Sequence, residues 1–182
     1  MQLSNNRYEN IKEEITSLFM EYDIKCIPIN AFEIAIKMGL NIIPYSALSE
    51  EKEQSAIKIS EDGFSIEKQN GEWQIYYNDR CKSYGRINQT IMHEIGHFWL
   101  GHVINGEEEE IEAKFFAKYA LAPPPLIHNM KGKITPLSIM ECFDLSFEAA
   151  KNAYSYYQKW LQFGGKKYRG YEVEMLDLFE VA

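Results

Sequence analysis

Apolar residues recur at three- and four-residue steps at the start of the chain, at Tyr8, Ile11, Ile15, Leu18, Phe19 and Tyr22, with charges between them. That spacing predicts an amphipathic helix over 7–22. Pro28 and Asn30 mark a break; Asn30 is placed to cap a helix over 31–38 and Gly39 to end it. Leu40-Asn41-Ile42-Ile43 reads as a short buried strand, and the polar stretch 46–54 as a loop or short helix. The period then shortens to two. Ile57 and Ile59, then Phe64 and Ile66, then Trp73, Ile75 and Tyr77 alternate with polar residues, and Asp62-Gly63 and Asn70-Gly71 separate the runs. Such dipeptides between alternating runs are hairpin signals, so a small, mostly antiparallel sheet is expected over 40–78.

From Arg86 the period is helical again. Ile87, Ile91, Ile95 and Phe98 form a stripe that Met92 and Trp99 widen, predicting a mostly buried helix that stops near Gly101. Glu107–Glu110 opens a second helix, with acidic residues at the positive end of its dipole, and Pro123-Pro124-Pro125 ends it. Two further helices are expected at 136–143 and 146–163, the second capped by Ser146 and stopped by Gly164-Gly165. The tail, 166–182, is basic and then acidic-hydrophobic and takes no assignment. Strands followed by helices give an α+β class. The organisation read from the pattern is a core over 1–132 and a helical hairpin and tail over 133–182, packed on the core.

The helix that begins at Arg86 carries chemistry. His93-Glu94-Ile95-Gly96-His97 is H-E-x-x-H, and on a helix the two imidazoles project from one face. Two such imidazoles can share a zinc ion, with the intervening glutamate placed to take a proton from water activated there. Random placement of this chain's His and Glu gives roughly 0.01 such motifs, which disfavours the plain alternative of a buried helix with two satisfied histidines. A catalytic zinc needs a third protein ligand. Among the histidines, His102 lies past Gly101 and is expected to cap the helix or shield the site, and His128 to serve the core or surface. Among the glutamates, Glu107, Glu108, Glu109 and Glu110 crowd a first turn, where most must face water. Glu112 shares a face with Phe115, Phe116 and Tyr119, so it needs a partner, and a metal is an adequate one; Glu108 is the runner-up.

Composition narrows the class. The 182 residues carry a formal net charge of −8, which argues against a protein whose main task is gripping phosphates. Cys26, Cys81 and Cys142 are far apart and odd in number, with no C-x-x-C, which fits a reducing compartment. The N-terminus lacks a signal-peptide core, and no apolar run reaches the ~18–20 residues that span a bilayer. A cytoplasmic protein without membrane partners is expected.

The words around the motif add a resemblance. His93 to His102, then Glu112-Ala113-Lys114-Phe115-Phe116-Ala117, then Leu121-Ala122-Pro123, resemble the ImmA/IrrE metallo-endopeptidases, as do Ile75 to Arg80 and Ile27 to Asn30. The likeness covers about 25–130, with the C-terminal helices matching weakly. Lys114 stands where that family often has Asn. The resemblance implies a zincin-like core, His93, His97 and Glu112 as zinc ligands, Glu94 as general base, and one zinc per chain. It implies cleavage of a protein, a helix-turn-helix repressor of a mobile element. Zincin architecture further implies that substrate lies extended along the Trp73–Tyr77 strand as a sheet edge; Tyr119 and His128 are the candidates for binding the oxyanion. Two other readings stay open. One is a regulator with a structural zinc, its 136–143 and 146–163 helices forming a DNA-binding unit with Lys151, Lys159, Lys166, Lys167 and Arg169. That second helix is thin in base-reading residues, so direct nucleic-acid binding is not favoured. The other is an antitoxin-like binding partner.

Overall fold

The computed structural model describes residues 3–80, 83–103, 106–164 and 167–180. Cys81, Gly165 and Lys166, which figured in the sequence reading, lie outside them. Helix α1 (Asn5–Glu21) is capped by Ser4, whose hydroxyl accepts from the Arg7 amide, and it buries Ile11, Ile15, Leu18 and Phe19. Helix α2 (Ala31–Lys37) starts where Asn30 accepts from the amides of Phe32 and Glu33. Strands β1 (Asn41–Pro44), β2 (Gly63–Glu67) and β3 (Trp73–Tyr77) form a sheet in the order β1-β3-β2. Ile75 of β3 faces Ile42 of parallel β1 and Ser65 of antiparallel β2. The sheet is therefore mixed rather than mostly antiparallel, and only the Asn70-Gly71 turn makes a hairpin.

The alternation at Ile57 and Ile59 does not form a strand. Helix α3 (Glu50–Ile59) occupies that stretch, with Glu50, Glu51 and Glu53 in its first turn and Lys58 in its last. Those charges match the helix dipole. Ala56 is its buried residue, and Ile59 remains 67% exposed. Two apolar residues at a spacing of two were too short a run to outweigh the charge pattern.

Helix α4 (Tyr84–Trp99) carries the H-E-x-x-H stretch and packs between the sheet and α5 (Glu107–Leu121). The contact between α4 and α5 depends on a glycine. A Cβ on Gly96 would sit 3.1–3.2 Å from the Phe116 side chain, which is fully buried. Gly96→Ala is expected to destabilise the fold by about 1–3 kcal/mol through overpacking, read as a lower denaturant midpoint at unchanged m. An unaltered midpoint would mean that the helices separate without cost.

The proline triplet both ends α5 and begins α6 (Pro124–His128), because proline is tolerated in a first turn. Helix α7 (Pro136–Phe143) and helix α8 (Phe147–Phe163) follow, with Ser146 accepting from the Ala149 amide as the N-cap. Ile139, Phe143, Ala150 and Tyr157 carry this pair into the same core as α1 and α4. The unassigned tail contains α9 (Gly170–Leu178), which buries Tyr171, Met175 and Leu176 and packs on α1. Its cap explains why it was missed: Arg169 stands at the N-cap, with Glu172 accepting from the Arg169 amide.

Candidate metal centre and active site

One turn of α4 separates His93 from His97, and their Nε2 atoms lie 3.1 Å apart. Glu110, in the first turn of α5, brings Oε1 to 3.3 Å from His97 Nε2 and Oε2 to 3.7 Å from His93 Nε2. Among the described residues these three form a group whose donor atoms all lie within 4.8 Å of one another. A tetrahedral zinc with bonds of about 2.0–2.1 Å has ligand-to-ligand edges of about 3.3 Å, so the observed separations fit such an ion. Protonation also suits ligation. Burial, reinforced by neighbouring His97, pushes His93 down to about 4, and burial likewise lowers His97. Both imidazoles are thus neutral at pH 7 with lone pairs to offer. Two nitrogens and a carboxylate oxygen are a donor set that zinc accepts.

The remaining side of the triad opens into a cleft of about 790 Å³ lined by Phe64, Ser65, Thr90, Lys114 and the ligand candidates. Glu94 forms part of its wall and is only 6% exposed. Ser65 Oγ, on β2, donates to Glu94 Oε2 at 2.7 Å. Burial pushes the Glu94 carboxyl up to about 7, against the downward pull of that hydrogen bond. A carboxylate whose proton affinity lies near ambient pH can both take and return a proton.

The model of a metallopeptidase family, the M78 peptidases with their IrrE N-terminal-like domain, matches residues 54–155. This chain belongs to that family. A search of curated proteins returned no match. The M78 segment runs from within α3 into α8, beginning later and ending later than the sequence resemblance, and it holds the whole His93-His97-Glu110 triad. Helices α1, α2 and α9 and strand β1 lie outside it.

Within this M78 chain, the carboxylate that clusters with the histidine pair is not the one expected from the sequence. Glu112 is not beside the histidine pair. It is buried between Arg7 of α1, which makes a two-pronged ion pair with it, and His102 Nε2 at 2.9 Å. The argument that a glutamate on that apolar face needs a partner holds, but the partner is an arginine 105 residues away. The Arg7 hydrogen bond, more than the opposing burial, keeps Glu112 below the ordinary carboxylate range. Glu110 is the carboxylate that joins the two histidines instead, on a different line of α5 shared with Lys114 and Ala117, which also line the cleft. Lys114 Nζ lies 3.3 Å from Glu110 Oε2. Glu108, the runner-up, is exposed.

The oxyanion candidates lie elsewhere as well. Tyr119 is 2% exposed inside the core, and His128 Nδ1 pairs with the Tyr157 hydroxyl at 2.9 Å in an aromatic cluster with Trp160. Neither lines the cleft. Strand β3 is not an edge, since β1 and β2 pair with it on its two sides; among the described residues β2 is an edge strand, and it borders the cleft. Ser65 was not singled out from the sequence. Its polar position in the Phe64-Ser65-Ile66 alternation was the available signal.

Proposed function

We propose that the protein is a zinc-dependent intracellular endopeptidase whose metal is held by His93, His97 and Glu110. The observation that carries this reading is the convergence of those three side chains at the floor of an open cleft with the buried Glu94 carboxylate in its wall. When bound, the ion supplies Lewis-acid polarisation of a scissile carbonyl and makes water nucleophilic at neutral pH. Glu94 accepts a proton from the attacking water and returns it to the leaving amine nitrogen. Ser65 keeps the carboxylate turned into the cleft through its hydrogen bond. The outer edge of β2 offers backbone donors and acceptors to an extended peptide, which places the scissile bond beside Glu94.

The substrate in this reading is a protein, a helix-turn-helix repressor of a mobile element, as the likeness to the ImmA/IrrE group implies. The packing of α7 and α8 into the common core favours a part of the enzyme body over a separate DNA-reading unit. The test is co-incubation of the chain with the product of the neighbouring open reading frame, followed by mapping of fragments. The expected result is one defined cut, abolished by a chelator and restored by about one equivalent of zinc per chain. Cutting that survives complete removal of metal would sink the assignment.

A further inference from the structure

The side of His97 turned away from the cleft is tied to a chain of side chains that the peptidase reading leaves unused. Gly101, at φ +70, closes α4: its amide bonds to the Phe98 carbonyl, and the His102 amide to the His97 carbonyl. This pair of bonds is the Schellman arrangement, which needs a left-handed residue at that position. It folds the chain back so that His102 Nδ1 lies 2.9 Å from His97 Nδ1. His102 Nε2 in turn lies 2.9 Å from Glu112 Oε2, and Arg7 grips both oxygens of Glu112. The side chains of His102 and Glu112 are 6% and 7% exposed.

Two nitrogens 2.9 Å apart need one proton between them, and the ends of the chain decide where it lies. Glu112, paired with Arg7, presents only lone pairs, so His102 must carry its proton on Nε2. In the neutral imidazole its Nδ1 is then an acceptor, which requires the proton of His97 to be on Nδ1. That turns the Nε2 lone pair of His97 toward the side where His93 and Glu110 converge. We propose that Arg7, Glu112 and His102 form a positioning relay that fixes the tautomer and ring orientation of His97 for metal binding. This rests on the metal reading above. It assigns a task to α1, which lies outside the matched peptidase segment.

The tautomer is read directly by ¹⁵N NMR of the histidines in the metal-free full-length chain, and affinity by Zn²⁺ competition against a chelator. In the wild type, His97 should show a protonated Nδ1 and a bare Nε2. His102→Phe removes the acceptor while leaving Glu112 with Arg7. Glu112→Gln offers His102 an amide donor that favours the opposite tautomer. Both variants should lose about 10–100-fold in zinc affinity and broaden or reverse the His97 pattern. A purely structural role would lower thermal stability while leaving the ¹⁵N pattern and zinc affinity as they were. That outcome, or a wild-type His97 protonated on Nε2, overturns the relay and leaves the metal site standing. The wild-type spectrum decides even where a variant fails to fold. A wild-type chain that holds no zinc overturns the metal reading, and with it the task given to the relay.

Discussion

Glu110→Gln is expected to lower zinc affinity by more than the roughly 10–100-fold that follows loss of a supporting hydrogen bond, with little change in folding stability. The affinity argument is geometric. Glu110 is the carboxylate whose oxygens lie 3.3 and 3.7 Å from the two imidazole Nε2 atoms, and an amide is a poor substitute for a charged oxygen ligand. The stability argument is one of exposure. The Glu110 side chain is 37% exposed, and its other partner, Lys114, is 61% exposed, so the substitution strands no buried charge. Surface changes of that kind usually stay within about 0.5 kcal/mol. Glu112→Gln should show the opposite balance: a smaller loss of affinity and a larger loss of stability, because it leaves Arg7 facing a neutral partner in a half-buried setting. Chelator-competition titrations and denaturant curves on the two variants separate the roles. A greater affinity loss for Glu112→Gln than for Glu110→Gln would make Glu112 the ligand in place of Glu110.

The contrast between these two glutamates shows what the sequence carries and what it withholds. The pairing of His93 with His97 was legible because both lie on one helix, where spacing alone sets the geometry. The helix boundaries around them were legible for the same local reason: Ser146, Asn30, Gly101 and the proline triplet act within a few residues. The carboxylate that joins them comes from a different helix, and its identity depends on how α5 is rotated about its axis against α4. The close packing of Phe116 on Gly96 fixes that rotation. It points Glu110 at the histidines and Glu112 toward α1. Polarity along α5 correctly marked Glu112 as a buried charge in need of compensation, but no local pattern announces an arginine at position 7. The sheet order was withheld in the same way. Alternation identified β2 and β3 as strands, yet which of them is the edge depends on the crossover that inserts β3 beside β1. Where the polar partner, the packed neighbour or the paired strand is distant in the chain, the pattern gives the need and the fold supplies the answer.

Glu94→Gln is expected to keep the metal and lose the chemistry, with hydrolysis falling by about 10²–10⁴-fold or further. Glu94 is not among the clustered donor groups, so zinc stoichiometry should stay at the wild-type value. The amide oxygen of glutamine can still accept from Ser65 Oγ, which holds the side chain in its present rotamer and preserves the cleft wall. What the amide cannot do is bind a proton at neutral pH, and that is the property burial confers on the carboxyl by raising it to about 7. Binding of an extended peptide along β2 should survive, since it draws on the backbone of the edge strand rather than on Glu94. The variant therefore becomes a trap: it holds substrate and metal without turnover. Single-turnover cleavage assays, with metal content measured on the same sample, check both halves. Cutting by the zinc-loaded variant at the wild-type rate would remove Glu94 from proton transfer. Loss of zinc together with activity would make its role the positioning of the metal.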